Sequence, residues 1–138
     1  LPDCCWSSIT PGYQMVRNPF PERGMGYSIA QGVAAVQVHA IDAVLIALAD
    51  MPYVPASHIA DMLYLFDGDR LASAGGGMVG PPALFGRAHF PALCALTGDK
   101  GARDLLSDAL ILTAPANALR DVDTPDDLAS FEDTHLRG

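Results

Sequence analysis

The stretch AVLIALADMPYVPASH, residues 43–58, decides how this chain is read. Ala43 to Leu48 is an unbroken apolar run, too short for a typical helix and bounded by Asp42 and Asp50. Such a run fits a strand buried on both faces, as in a parallel sheet covered by helices. Pro52 fixes its own φ and biases Met51 away from helical geometry, so Asp50 is expected on a stiff turn at the strand's carboxyl end.

Working outward, Ile29, Val33 and Val36 recur at helical spacing from Ser28 onward, predicting an amphipathic helix of about three turns. On the other side, Ser57 is the expected N-cap of a helix that places Ile59, Met62, Leu63 and Phe66 on one face. DGDR (67–70) reads as a turn, residues 71–86 as two short strands around the GGG at 75–77, and residues 87–96 as a brief helix interrupted near Pro91. A loop feeding a short helix follows over 97–109, then a buried strand, LILTAP (110–115). Residues 124–134 predict a helix with Thr124 as N-cap, Pro125 at its first position and acids in its first turn. YQMVR (13–17) predicts a short strand closed by NPFPERG. The alternation of helix and strand argues for an α/β domain with a mainly parallel sheet, in which ligands gather beyond the strands' carboxyl ends.

With 138 residues, half of them apolar, the chain reads as one globular domain over 1–138. A formal charge of −8, with Lys100 the only lysine, argues against nucleic acid as a partner. No apolar run reaches the roughly 18 residues that span a bilayer, and no signal peptide is recognisable, so no membrane partner and a cytoplasmic location are expected. Cys4, Cys5 and Cys94 make an odd count with no zinc-like spacing, and the four histidines show none either. No nucleophile-elbow pattern supports covalent hydrolysis.

The candidates for chemistry are carboxylates, glycines and a small basic loop. Asp50 reads as a ligand for a hard cation such as Mg²⁺, or alternatively as a cap or a partner of an arginine. In DVDTPDD, Asp126 and Asp127 suit the first turn of a helix, whereas Asp121 and Asp123 flank Val122 and would project to one side of an extended segment. Either would complete a Mg²⁺ site with Asp50. RGMGYS (23–28) is either an anion-holding helix start or a plain glycine turn. GGGMVGPP (75–82) either admits close approach of a ligand or forms a bulged hairpin. GDKGARD (98–104) offers Lys100 and Arg103 to a phosphate, or to surface salt bridges.

Five blocks, NPFPERGMGYSIAQGV, VLIALADMP, GPPALFGRAHFPAL, LTGDKGARDLL and DVDTPDDL, together resemble the MobA-like nucleotidyltransferases over roughly residues 15 to 130. The closest resemblance is to the molybdenum cofactor cytidylyltransferase branch. It implies a Rossmann-like three-layer α/β/α sandwich of the nucleotide-diphospho-sugar transferase type. The implied reaction is Mg²⁺-dependent transfer of CMP from CTP, or of another NTP's nucleotidyl group, to molybdopterin with release of pyrophosphate. On that resemblance Asp50 and Asp123 are the catalytic pair, and Asp50, Asp123 and Asp121 the metal ligands. Gly24, Gly26, Ser28 and Asp50 match the nucleotide site; Gly80, Pro82, Asp99, Gly101 and Arg103 match the substrate side. No segment resembles the family's glycine-rich LAAGxSxRMGxxK-type loop, so the chain is expected to be N-terminally incomplete and to represent the C-terminal two-thirds of the family domain. The alternative implication is a catalytically degenerate molybdopterin-binding or assembly module, with a molybdoenzyme or chaperone as partner.

Overall fold

A computed structural model describes residues 12–122 and 124–129. In chain order these form α1 (Met25–Val36), β1 (Ala43–Ile46), α2 (Ala56–Leu65), β2 (Arg70–Gly75), β3 (Met78–Gly86), α3 (Phe90–Cys94) and β4 (Leu110–Thr113), with short 3₁₀ turns at Pro21–Arg23, Arg87–His89 and Arg103–Leu106. A further helical segment runs over 125–129.

The strands lie in the order β1-β3-β2-β4. β3 is antiparallel to β1 and β2, while β2 and β4 are parallel. Thus β1, β2 and β4 share one direction, and β3 alone runs back between β1 and β2. Glycine chemistry makes this reversal: Gly75 pairs with Met78, and the two residues between them, Gly76 and Gly77, both have positive φ (58° and 77°). A two-residue hairpin loop with both φ positive matches the right-handed twist of its strands.

Strand alternation sends side chains to two cores. On one face Val44, Ala72, Ala83 and Phe85 pack with Val33 of α1 and Phe90 and Leu93 of α3. On the other, Leu71 and Leu84 meet Met62 of α2, with Ile59, Phe66 and Leu112 around them. Helices on both faces of one sheet make the expected three-layer sandwich. Phe85, fully buried at the centre, contributes on the order of 1.5–3 kcal/mol through its burial.

Several local expectations need correction. Among the described residues β1 and β4 have one neighbouring strand each, and neither is buried on both faces: Leu45 is 38% exposed, and Ile111 55%. Residues 13–17 form no strand, and Tyr13 and Met15 are exposed. α1 begins at Met25, one turn before Ser28, because Gly24 (φ 88°) provides the cap position. α2 starts after Pro55, which puts Ser57 inside its first turn. Pro91 opens α3 instead of interrupting it, at a position where its missing N–H costs nothing. Pro81 and Pro82 are joined by a cis peptide. At 124–127 the expectation holds: the Asp127 amide donates to Thr124 Oγ1 (3.2 Å), and the Thr124 amide donates to Asp127 Oδ2 (3.1 Å), a reciprocal cap.

Candidate active site

The shared direction of β1, β2 and β4 brings their carboxyl ends to one end of the sheet. There Leu48, Met51, Gly80, Pro81, Leu119, Arg103 and Asp121 line a cavity of about 110 Å³. Three residues expected from sequence, Gly80, Arg103 and Asp121, therefore meet around one space although they come from β3, the 3₁₀ turn at 103–106 and the segment after β4. A second cavity of about 520 Å³ adjoins it through Gly75, Met78 and Leu119, and extends to Asn117 and Arg120.

Asp50 stands at the rim of this end, exposed, in a turn whose Met51 amide donates to the Leu48 carbonyl (3.3 Å). The 120–122 segment is tied to that turn twice. The Val122 amide donates to the Asp50 carbonyl at 2.7 Å, and the Arg120 guanidinium lies over the Tyr53 ring at 4.5 Å. A cation over an aromatic face contributes about 0.5–1 kcal/mol at an exposed site. Asp50 and Asp121 thus sit on two backbone segments held side by side. Asp123 lies outside the described residues. Among the described residues, no group of three or more His, Cys, Asp or Glu side chains is gathered as a metal cage.

The glycines at the start of α1 pack against the 97–101 loop. The Gly26 amide donates to the Gly98 carbonyl and the Gly98 amide to the Arg23 carbonyl, both at 2.8 Å. A Cβ on Gly26 would stand 2.9 Å from the Thr97 carbonyl group. One on Gly24 would stand 2.6 Å from that of Gly98 and 2.7 Å from Asp99 Oδ1. Gly101, at positive φ, lies against Met25 and Ile29. Gly24 and Gly26 therefore pack backbone to backbone on the 97–98 segment, with the Asp99 carboxylate against Gly24 and Gly101 resting on the Met25 and Ile29 side chains, and this loop carries the chain on to Arg103. Ser28 is exposed and accepts a hydrogen bond from Asn18 Nδ2 (2.8 Å). It also lines a larger apolar cavity of about 670 Å³ between α1 and β1, with Ile29, Val33, Val44 and Ile46.

Pro82 sits behind the cavity wall, buried, and its carbonyl accepts a hydrogen bond from Ser73 Oγ (2.7 Å). Ser73 Oγ is in turn 2.8 Å from His58 Nε2, with Met62 Sδ at 3.6 Å. Burial holds the His58 imidazole below its ordinary pKa, against the opposing pull of Asp61. At the far end of the sheet, the hydrogen bond from His89 lowers the pKa of Asp69, with Arg70 adding to the effect. That pair is remote from the carboxyl ends.

Sequence reasoning missed Arg120, Asn117, Leu119 and the buried His58–Ser73 pair. Arg120 had a signal, a cation immediately before the DVD acids. His58 and Ser73 had none, because a histidine on an apolar helix face does not announce its partner 15 residues on.

Comparison with known proteins bears on the family and the fold. A sequence family described as the MobA-like NTP transferase domain matches residues 6–116. The purine catabolism protein PucB of Bacillus subtilis (strain 168) is 31% identical over 112 residues, covering 77% of this chain and 55% of PucB. Three crystal structures share the fold. Rv0371c of Mycobacterium tuberculosis H37Rv has a TM-score of 0.64 at 24% identity, covering 78% of this chain and 59% of its own. A homologue from Mycobacterium sp. strain JC1 gives 0.63 at 24%, covering 78% and 58%. Rv0371c in complex with manganese gives 0.59 at 26%, covering 78% and 60%. The chain spans between 55% and 60% of the length of these relatives.

Proposed function

This chain belongs to the family of MobA-like NTP transferase domains, and from that premise we propose that it serves nucleotidyl transfer, with CTP as donor and molybdopterin as acceptor. The acceptor's terminal phosphate oxygen attacks the α-phosphorus, the bond between the α-phosphorus and the bridging oxygen breaks, and pyrophosphate leaves. Such transfers depend mainly on positioning and on offsetting charge. The observation that carries the reading is the hydrogen bond from the Val122 amide to the Asp50 carbonyl, which sets the Asp50 turn beside Asp121 at the cavity lined by Arg103.

The residues present fit a Mg²⁺ that arrives with its nucleotide. Mg²⁺ takes one or two carboxylates and completes its shell with water and phosphate oxygens. Two neighbouring acidic segments, those of Asp50 and Asp121, suit that habit. The manganese complex of Rv0371c supports a divalent ion in such a fold. Asp50 with Asp121 or Asp123 would hold the ion, which when bound offsets charge on the triphosphate. Arg103, and Lys100 three residues before it, would bind phosphate oxygens. Gly80 and Pro82, with Asp99 and Gly101 on the loop before Arg103, would form the acceptor side, while Gly24 and Gly26, with Ser28 beyond them, would frame the nucleotide.

The test is pyrophosphate release from CTP with molybdopterin and Mg²⁺, comparing wild type with Asp50→Asn. A loss on the order of 10²-fold or more is expected, and equal rates would remove Asp50 from the reaction. Calorimetry decides between this reading and a binding module: molybdopterin binding with no Mg·CTP binding would favour the module.

A further inference from the structure

The ladder between β2 and β3 is broken where it meets the cavity. Leu71 pairs with Leu84 and Ser73 with Gly80, so one intervening residue on β2 faces three on β3. Two of those three are Pro81 and Pro82, which have no N–H to give to either neighbour. The bulge therefore keeps its place by other means. The buried Pro82 carbonyl needs a donor, and Ser73, 0% exposed, supplies its hydroxyl at 2.7 Å.

That bond dictates the state of His58. Once the Ser73 proton points at Pro82, Ser73 Oγ can meet the imidazole only as an acceptor, so His58 Nε2 carries a hydrogen and donates it at 2.8 Å. His58 is 3% exposed. The groups facing it are Asp61 from its own helix and, from β2 and β3, the uncharged Ser73 hydroxyl and Pro82 carbonyl, with Met62 Sδ alongside. Arg70 of β2 is turned away, donating to the Leu105 and Ser107 carbonyls. An apolar residue at 58 would pack more cheaply than a buried imidazole, whereas an imidazole fixes an orientation.

We propose that His58 is a positioning residue for the proposed transferase: its neutral imidazole orients the Ser73 hydroxyl onto Pro82, and this holds the Gly80–Pro82 wall facing Arg103 and Asp121. Protonation adds its proton at Nδ1 and leaves the Nε2–H bond to Ser73 in place, but it puts a charge into a site 3% exposed beside the uncharged Ser73, Pro82 and Met62, and the cost of holding that charge loosens the packing of α2 against the wall. The inference rests on the transferase reading for its consequence but not for its geometry, and two measurements separate them.

The first needs no activity. In ¹⁵N NMR of the full chain from pH 8 to 5, His58 shows the Nε2–H tautomer above pH 6.5, and the Gly80 and Arg103 amide signals move with the His58 titration. In Ser73→Ala, His58 still titrates but the Gly80 and Arg103 signals no longer follow it. Signals that never follow His58, or that follow it equally in Ser73→Ala, overturn the proposal. The second is kinetic. In wild type the KM for molybdopterin rises about tenfold as pH falls below 6.5, with the KM for CTP unchanged. His58→Gln, which keeps an amide donor, retains the low KM and loses this pH dependence. His58→Leu shows the raised KM at every pH. Linked NMR signals in a chain without transferase activity uphold the positioning and sink the transferase reading; activity without linkage does the reverse.

Discussion

Single residues show most clearly how position and space separate two glycines of the same helix. Gly26, in the first turn of α1, has no room for a methyl group, since its Cβ would stand 2.9 Å from the backbone of Thr97. Gly32, six residues on, has nothing within 4 Å of that point. Gly26→Ala must push one backbone off another, which costs on the order of 1–3 kcal/mol. Gly32→Ala removes unfolded-state freedom without a clash and stabilises by about 0.5–1 kcal/mol. Urea denaturation of both variants checks the opposite signs, and a Gly26→Ala protein as stable as wild type would show that the 97–98 loop yields freely. The RGMGYS glycines were legible as a helix start, but the choice between anion site and plain turn was not. The partner loop lies some seventy residues away, and local sequence carries no trace of a backbone-to-backbone contact at that distance. Asp50 was legible in its place alone: a carboxylate after an apolar run and before Met51–Pro52 announces a turn, and Asp50 stands exposed in one.

At the scale of elements, what was local was readable and what depended on neighbours was not. The Thr124 cap needed only Thr124, Pro125 and Asp127 to be foreseen, and its two hydrogen bonds are present. Thr124→Ala should cost about 0.5–2 kcal/mol, read as a lowered urea midpoint, with the loss shared by Asp127→Ala because the two bonds are reciprocal. The burial of β1 and β4 could not be foreseen in the same way. An apolar run states that a strand wants cover, not how many strands flank it. The α2–sheet interface carries a pH dependence of its own. Burial lowers the folded-state pKa of His58 below 6.5, so between those two values the unfolded chain binds more protons than the folded one. Stability is therefore unaffected by His58 above pH 6.5 and falls as pH drops below it. His58→Gln should flatten that part of the profile, measured as urea midpoints at pH 7.5 and 5.5; an unchanged slope would show that the imidazole is hydrated in the folded state.

For the whole molecule, the order of the blocks along the chain was enough to suggest the fold, but their convergence is a property of topology. Three strands running one way bring Asp50, the 75–80 hairpin and the 114–121 segment to one end, and the antiparallel β3, which alternation alone does not announce, delivers Gly80 there. The same wholeness governs the electrostatics of a nucleotide. Sixteen acidic residues against eight Lys and Arg leave the chain at −8. On the proposed function a free triphosphate would meet a like-charged body, with Arg103, Arg120 and Lys100 as the cations on offer and Asp50, Asp99 and Asp121 among the acids. A divalent ion changes the balance at the site itself, where charge counts most. Chelation with EDTA should weaken CTP binding by about tenfold or more, the equivalent of a single favourable charge contact of about 1.4 kcal/mol. Salt then distinguishes the causes. Without the ion, raising ionic strength from about 0.01 to 0.15 M shortens the screening length from about 30 to 8 Å, relieves the long-range repulsion and partly restores binding. With the ion present, the same salt weakens binding by screening local attractions. Calorimetric titration of CTP at both salts, with and without Mg²⁺, reads the two slopes. Slopes of the same sign would mean that the net charge of the molecule does not reach its nucleotide, and that local side chains alone decide the affinity.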